Sequence, residues 1–230
     1  MTRKAQWFVG TTIAVGVCLL AYGVASEITI GHSVAYLTYL ILALFASTLK
    51  IHLPGITGTI SVNFLIILMA VATCTFGETV LLAAASCVVQ CLWRSRTRPR
   101  LVQVAFNVSA LAISSGVSYR ATHLFSGGPG IRFAALLALA ASLYFTADTL
   151  LVSGVLALVQ SKPLFAVWQQ CYVWSFPYYM IGAAISGMAV AADRTMGPGM
   201  SMPLLAVMYL VYVFYRIVVE RITARGSAVV

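Results

Sequence analysis

Long apolar runs separated by short, mostly basic breaks constrain this chain more than any other feature. Taken in order, the runs are 7–26, 33–49, 61–75, 78–93, 101–122, 132–159, 172–192 and 202–219. A helix rises about 1.5 Å per residue, so roughly 20 apolar residues match the hydrocarbon core of a bilayer, and most of these runs approach that length. Hydrophobic residues make up 61% of the 230 residues and charged residues 8%, against about 25% charged in a soluble domain. The expected fold is an all-α integral membrane protein. It is a polytopic bundle of about eight transmembrane helices, forming one domain over 1–230.

The first run is too long for the core of a cleaved signal peptide, so it is expected to stay as the first helix. The third and fourth runs are the shortest. Only Phe76, Gly77 and Glu78 part them, and they are readable as two short helices or as a re-entrant pair shielded by the bundle.

Charge then orients the chain. The formal net charge is +9, and with the N-terminus placed in the cytoplasm, eight spans put Arg3, Lys4, Lys50, Arg94, Arg96, Arg98, Arg100, Lys162, Arg216, Arg221 and Arg225 inside. Arg120, Arg132 and Arg194 fall outside. This bias follows the positive-inside pattern and predicts that both termini are cytoplasmic. The basic residues line no single exposed face, so nucleic acid is not an expected partner. The Arg94, Arg96, Arg98 and Arg100 loop reads first as a topology signal, with an anionic-lipid or nucleotide contact as the alternative.

The chemistry of catalysis is sparse. Five Asp and Glu residues leave no paired carboxylates for acid and base work. His32, His52 and His123 fall in separate loops, so they draw no three-ligand metal site. Cys18, Cys74, Cys87, Cys91 and Cys171 lie in apolar stretches and are odd in number. They imply no disulfide framework, and Cys87 and Cys91 read as small packing residues with no His or carboxylate to complete a zinc site. No catalysis and no cofactor are expected.

Small residues at helical spacing, Gly10, Ala14 and Cys18 in the first run and Gly182, Ser186 and Val190 in the seventh, are expected to let helices of the bundle approach closely. Trp7, Trp93, Trp168 and Trp174, with Tyr209, Tyr212 and Tyr215, fall near run ends, where amphipathic rings anchor in the headgroup region. Pro177 lies inside the seventh run, just before Tyr178 and Tyr179, and is expected to kink that helix.

Two features stand out as candidate sites. Asp148 lies within the long sixth run, where an ionisable side chain costs at least about 2.5 kcal/mol and usually faces the bundle interior or a wet cavity. Asn63, Gln90, Asn107 and Tyr119 are its candidate partners in a small-molecule site; a structural clamp is the competing reading. The second feature is the loop KIHLPGITGT at 50–59, where Pro54, Gly55, Gly58 and Thr59 suit a tight connector or a loop folding back towards a cavity. It lacks the spacing of a phosphate-binding loop.

Three stretches carry a family likeness: LKIHLPGITGTISVNFLIIL from Leu49, GET at 77–79, and VQCLWRSRTRPRLVQVAFNVSALAIS ending at Ser114. Lys50, Pro54, Gly55, Gly58, Thr59, Ser61, Asn63, Phe64, Glu78, Thr79, Gln90, Trp93, Arg94, Pro99, Val102, Gln103, Phe106 and Asn107 make this region resemble the multi-span membrane input region of bacterial cyclic-di-GMP signalling proteins of the HD-GYP or GGDEF type. YLVYVFYRIVVERI from Tyr209 is similar to the last span of such sensors. The resemblance implies a sensor of the bacterial inner membrane, here without an output domain, acting on a cytoplasmic signalling protein. The alternative is a small-molecule transport component. Its layout, a glycine-rich loop before a short apolar span, is similar to the substrate-binding subunits of energy-coupling-factor transporters.

Overall fold

The computed structural model describes residues 2–30, 34–52, 59–93, 99–125, 133–171 and 173–196, with residues 206, 209–210, 213–214 and 217 beyond them. Among the described residues, the regular structure is helical apart from one small ribbon. Helix α1 (Arg3–Ile30) leads to α2 (Val34–Ala46), and strands β1 (Lys50–His52) and β2 (Thr59–Ser61) form an antiparallel ribbon pairing Lys50 with Ser61. Next come α3 (Phe64–Thr73), α4 (Phe76–Leu92), α5 (Leu101–Phe125) and α6 (Phe133–Gln160). They are followed by α7 (Leu164–Cys171), a single 3-10 turn (Val173–Ser175) and α8 (Phe176–Met196). By length and composition, α1, α5 and α6 can cross a membrane.

Helix α3 is the centre of the bundle. Ten residues rise about 15 Å, half the thickness of a bilayer core. Phe64 to Val71 are nevertheless at most 2% exposed, because α2, α4, α5, α6 and α8 surround the helix. A helix apolar on every face is stable only where every face is covered. Lipid would cover those faces as well as protein does, so burial alone does not hold α3 in place; close contact and hydrogen bonds do. Gly182 on α8 lets the Phe64 ring lie against its backbone, where an added Cβ would sit 2.2 Å from the ring. Ser186 donates to the Leu65 carbonyl at 2.9 Å, and the Thr79 hydroxyl lies between two acceptors, Thr75 O at 2.8 Å and Ala70 O of α3 at 3.1 Å. Phe64 also packs on Tyr178 and Tyr179, with centroids 4.9 and 4.7 Å apart.

The turn from α3 to α4 is closed by a capping box. Thr75 Oγ1 accepts from the Glu78 amide at 3.2 Å, and Glu78 Oε2 accepts from the Thr75 amide at 3.1 Å. This satisfies two of the amides that a helix start leaves unpaired. At its far end α6 stops in a Schellman turn: Ser161 takes φ 54° and the Lys162 amide donates to Ala157 O at 3.1 Å.

Several expectations need correction. In the first run, Gly10, Ala14 and Cys18 lie on the exposed side of α1, and a Cβ at Gly10 would meet nothing within 4 Å. The face of α1 that packs carries Ala5, Val9, Thr12 and Gly16, and Gly16 meets the backbone of Ser109 on α5. The stripe Gly182, Ser186 and Val190 does pack, against α3. Pro177 is the second residue of α8, where its missing N–H interrupts no helical bond, so it starts the helix and does not kink it. Trp168 is no simple headgroup anchor, since its indole Nε1 donates to Thr149 Oγ1 on α6 at 2.9 Å. The run 202–219 lies almost wholly outside the described residues.

Candidate functional site

The ribbon and the start of α3 meet the second half of α4 in a buried patch of hydrogen-bonding side chains. One turn of helix separates Ser86 from Gln90 and Cys87 from Cys91, so α4 presents all four towards its neighbours. Asn63 Nδ2 donates to Ser86 Oγ at 3.0 Å, and Ser86 Oγ donates to Ala83 O at 2.9 Å. Ser61 Oγ lies 2.5 Å from Asn63 Oδ1 and 2.9 Å from Gln90 Oε1. One hydroxyl proton cannot serve two acceptors. With the Asn63 amide fixed by Ser86, Ser61 donates to Asn63 Oδ1, and the Gln90 amide is satisfied by turning so that its nitrogen donates to Ser61.

A second set adjoins the first. Asn107 on α5 places Nδ2 3.5 Å from Cys91 Sγ. The Lys50 ammonium is within electrostatic reach of Cys91, and burial lowers its pKa from the ordinary lysine value. Lys50 Nζ also donates to the Trp93 carbonyl, tying the start of β1 to the end of α4. Asp148 is half-buried on α6, within electrostatic reach of Cys87 and Tyr144, and has no hydrogen-bond partner among the described residues.

Of the five candidate ligand residues, Asn63 and Gln90 belong to one network, Asn107 adjoins it through Cys91, and Asp148 faces it across Cys87. Tyr119 does not belong. It lies twelve residues along α5 from Asn107, about 18 Å, stacked on His123 at 3.9 Å and edge-on to Phe76 at 5.6 Å. Arg120 caps that same end of the bundle, 4.8 Å over the Phe76 ring.

Among the loop candidates, Pro54, Gly55 and Gly58 lie outside the described residues, and Thr59 is the first residue of β2. Arg94, Arg96 and Arg98 also lie outside them. Arg100 is exposed, and its backbone amide donates to Gln103 Oε1 at 2.9 Å at the start of α5.

Ser61 and Ser86 are central to the network; Ser61 was named from the sequence only among the residues of the family likeness, and Ser86 was not named at all. A signal was present: Ser86 is one turn from Gln90, and Ser61 is two residues from Asn63. An open groove along α1, lined by Arg3, Gln6, Trp7, Gly10, Thr11 and Ala14, contains none of the network. No family model, curated protein or solved structure matches this chain.

Proposed function

We propose that the chain is a sensory or regulatory input module embedded in a membrane and without catalytic activity. A small molecule exchanges with the polar network between β2, α3 and α4, and the last helix passes the change to a cytoplasmic signalling protein. The observation that carries this reading is the network itself: Ser61, Asn63, Ser86 and Gln90 joined inside an apolar bundle, beside an Asp148 carboxyl that no hydrogen bond holds among the described residues. A ligand offering matching donors and acceptors would exchange partners with these groups and shift the bundle by its differential affinity for two arrangements.

The setting is a bacterial inner membrane crossed about eight times, with both termini cytoplasmic. The Lys50 to Trp93 contact supports that count, since the ribbon, α3 and α4 then enter and leave on one side, as the basic residues on both flanks require.

Thermal-shift screening of the detergent-purified chain against metabolites and quinones tests the reading, because a ligand of the folded state raises the melting point by mass action. A hit whose shift is lost in Gln90→Leu and reduced in Asp148→Asn is the expected result. A screen with no hit, or hits indifferent to both variants, removes the reading. The transport alternative is favoured by the half-length α3 set behind the ribbon at the network's edge. It predicts that proteoliposomes containing the protein and its partner accumulate the same hit, which an input module would not do.

A further inference from the structure

Cys87 and Cys91 take no part in the hydrogen-bond network, yet their surroundings differ from those of the other described cysteines. Cys18 is exposed on α1, and Cys74 lies at the end of α3 with its sulfur 3.9 Å from Thr73 Oγ1. Cys87 and Cys91 share one face of α4, with Cβ atoms one turn apart at about 5–6 Å. An amide donor and the partly exposed Lys50 ammonium both attend Cys91.

We propose that Cys87 and Cys91 form a two-coordinate site for a soft monovalent cation of the Cu(I) class. Thiolates select such ions, and a linear pair of sulfurs is a complete coordination shell for them. A harder ion would need more ligands, and among the described residues no group of three or more His, Cys, Asp and Glu is placed to hold a metal. Binding changes no oxidation state: two thiols release their protons to solvent and two sulfur–metal bonds form.

Charge balance is the strongest argument. Two thiolates and one monovalent cation carry a net charge of −1, which is costly within an apolar bundle. Lys50 supplies the compensating positive charge on the Cys91 side, and the Asn107 N–H points at Cys91 Sγ, the kind of outer contact that orients a ligating group. Cys87 is 2% exposed and Cys91 half-buried, so the ion would enter from the Lys50 end. The site goes beyond the input-module reading and does not depend on it, since the ion's binding is measured without any partner or small-molecule hit.

The test uses the whole chain, reduced and in detergent. Ag(I) serves as a redox-inert probe, and Cu(I) is buffered by a chromogenic chelator. The expected result is one ion per chain held against the chelator, lost in the Cys87→Ser/Cys91→Ser double variant and kept when Cys18, Cys74 and Cys171 are all replaced by Ser. Lys50→Met and Asn107→Ala should each weaken binding about 10–100-fold, the usual cost of losing an outer-shell partner. Ag(I) should also protect Cys91, the more accessible of the pair, from maleimide in the unaltered protein, read by mass spectrometry, which needs no variant to fold. Absence of a chelator-resistant ion, unchanged binding in the Cys87 and Cys91 double variant, or equal labelling of Cys91 with and without Ag(I) would overturn the proposal.

Discussion

Helices α3 and α1 are both rich in apolar residues, α3 the more so, and their situations are opposite. Over eight consecutive residues α3 is enclosed on all sides, whereas α1 buries one narrow face against α4, α5 and α6 and leaves Trp7, Val17 and Tyr22 more than half exposed. The greater apolarity of α3 does not by itself explain its enclosure, because protein and lipid are equally good solvents for an apolar side chain. Length does. A helix of 28 residues can face lipid along its course, while one of ten leaves its ends and the ribbon before it at depths where only protein can satisfy them.

The largest test of this contrast compares truncations. Leu68→Ala on α3 should lower the free energy of unfolding in mixed micelles by about 2–5 kcal/mol, as for other enclosed leucines, while Val17→Ala on α1 should change it by less than about 0.5 kcal/mol. An equal loss at Val17 would mean that protein covers the outer face of α1, and the contrast would collapse.

Glycines sharpen it further. Gly182→Ala would drive a Cβ into the enclosed Phe64 ring and should cost about 1–3 kcal/mol by the same measurement. Gly10→Ala, facing open space, should be neutral or stabilising by up to about 1 kcal/mol through helix propensity. At the end of the α3 hairpin, Thr75→Ala should cost about 1 kcal/mol by removing the cap from the Glu78 amide. The smallest effect is expected at the periphery. Ser161→Gly should raise the free energy of unfolding slightly, by about 0.5 kcal/mol or a little more, since glycine takes the φ 54° turn without strain.

Much of this organisation is legible in the chain. Apolar runs marked seven of the eight α-helices among the described residues closely enough to name them, and the brevity of 61–75 pointed to a short helix or half of a re-entrant pair. Helix α7 was hidden because Lys162 and Pro163 mark a break, and eight residues carry too short an apolar pattern to count as a span. The ribbon was hidden because three residues per strand give no alternation to read. Its neighbour 75–78 did carry a signal, a Thr with a Glu three residues later, that identifies the start of α4 without any structure. On the network, Asn63 and Gln90 could be suspected as polar residues in apolar runs, but contact between them depends on how α3 folds back on α4. Tyr119 was misplaced for the complementary reason: it shares a helix with Asn107, and only the length of α5 shows how far apart they sit. The exposed stripe of α1 failed because spacing reveals that small residues share a face, and not which neighbour, if any, that face meets.

The ten-residue length of α3 also bears on biosynthesis. A segment so short is a poor substrate for lateral release into lipid during translation, and the surface that holds it, Gly182 and Ser186 on α8, is encoded roughly 100 residues later. At synthesis rates of about 5–20 residues per second, α3 leaves the ribosome about 5–20 s before its main docking face exists. The bundle's most enclosed helix is therefore among the last to settle, and it is the segment that a membrane chaperone would have most reason to hold.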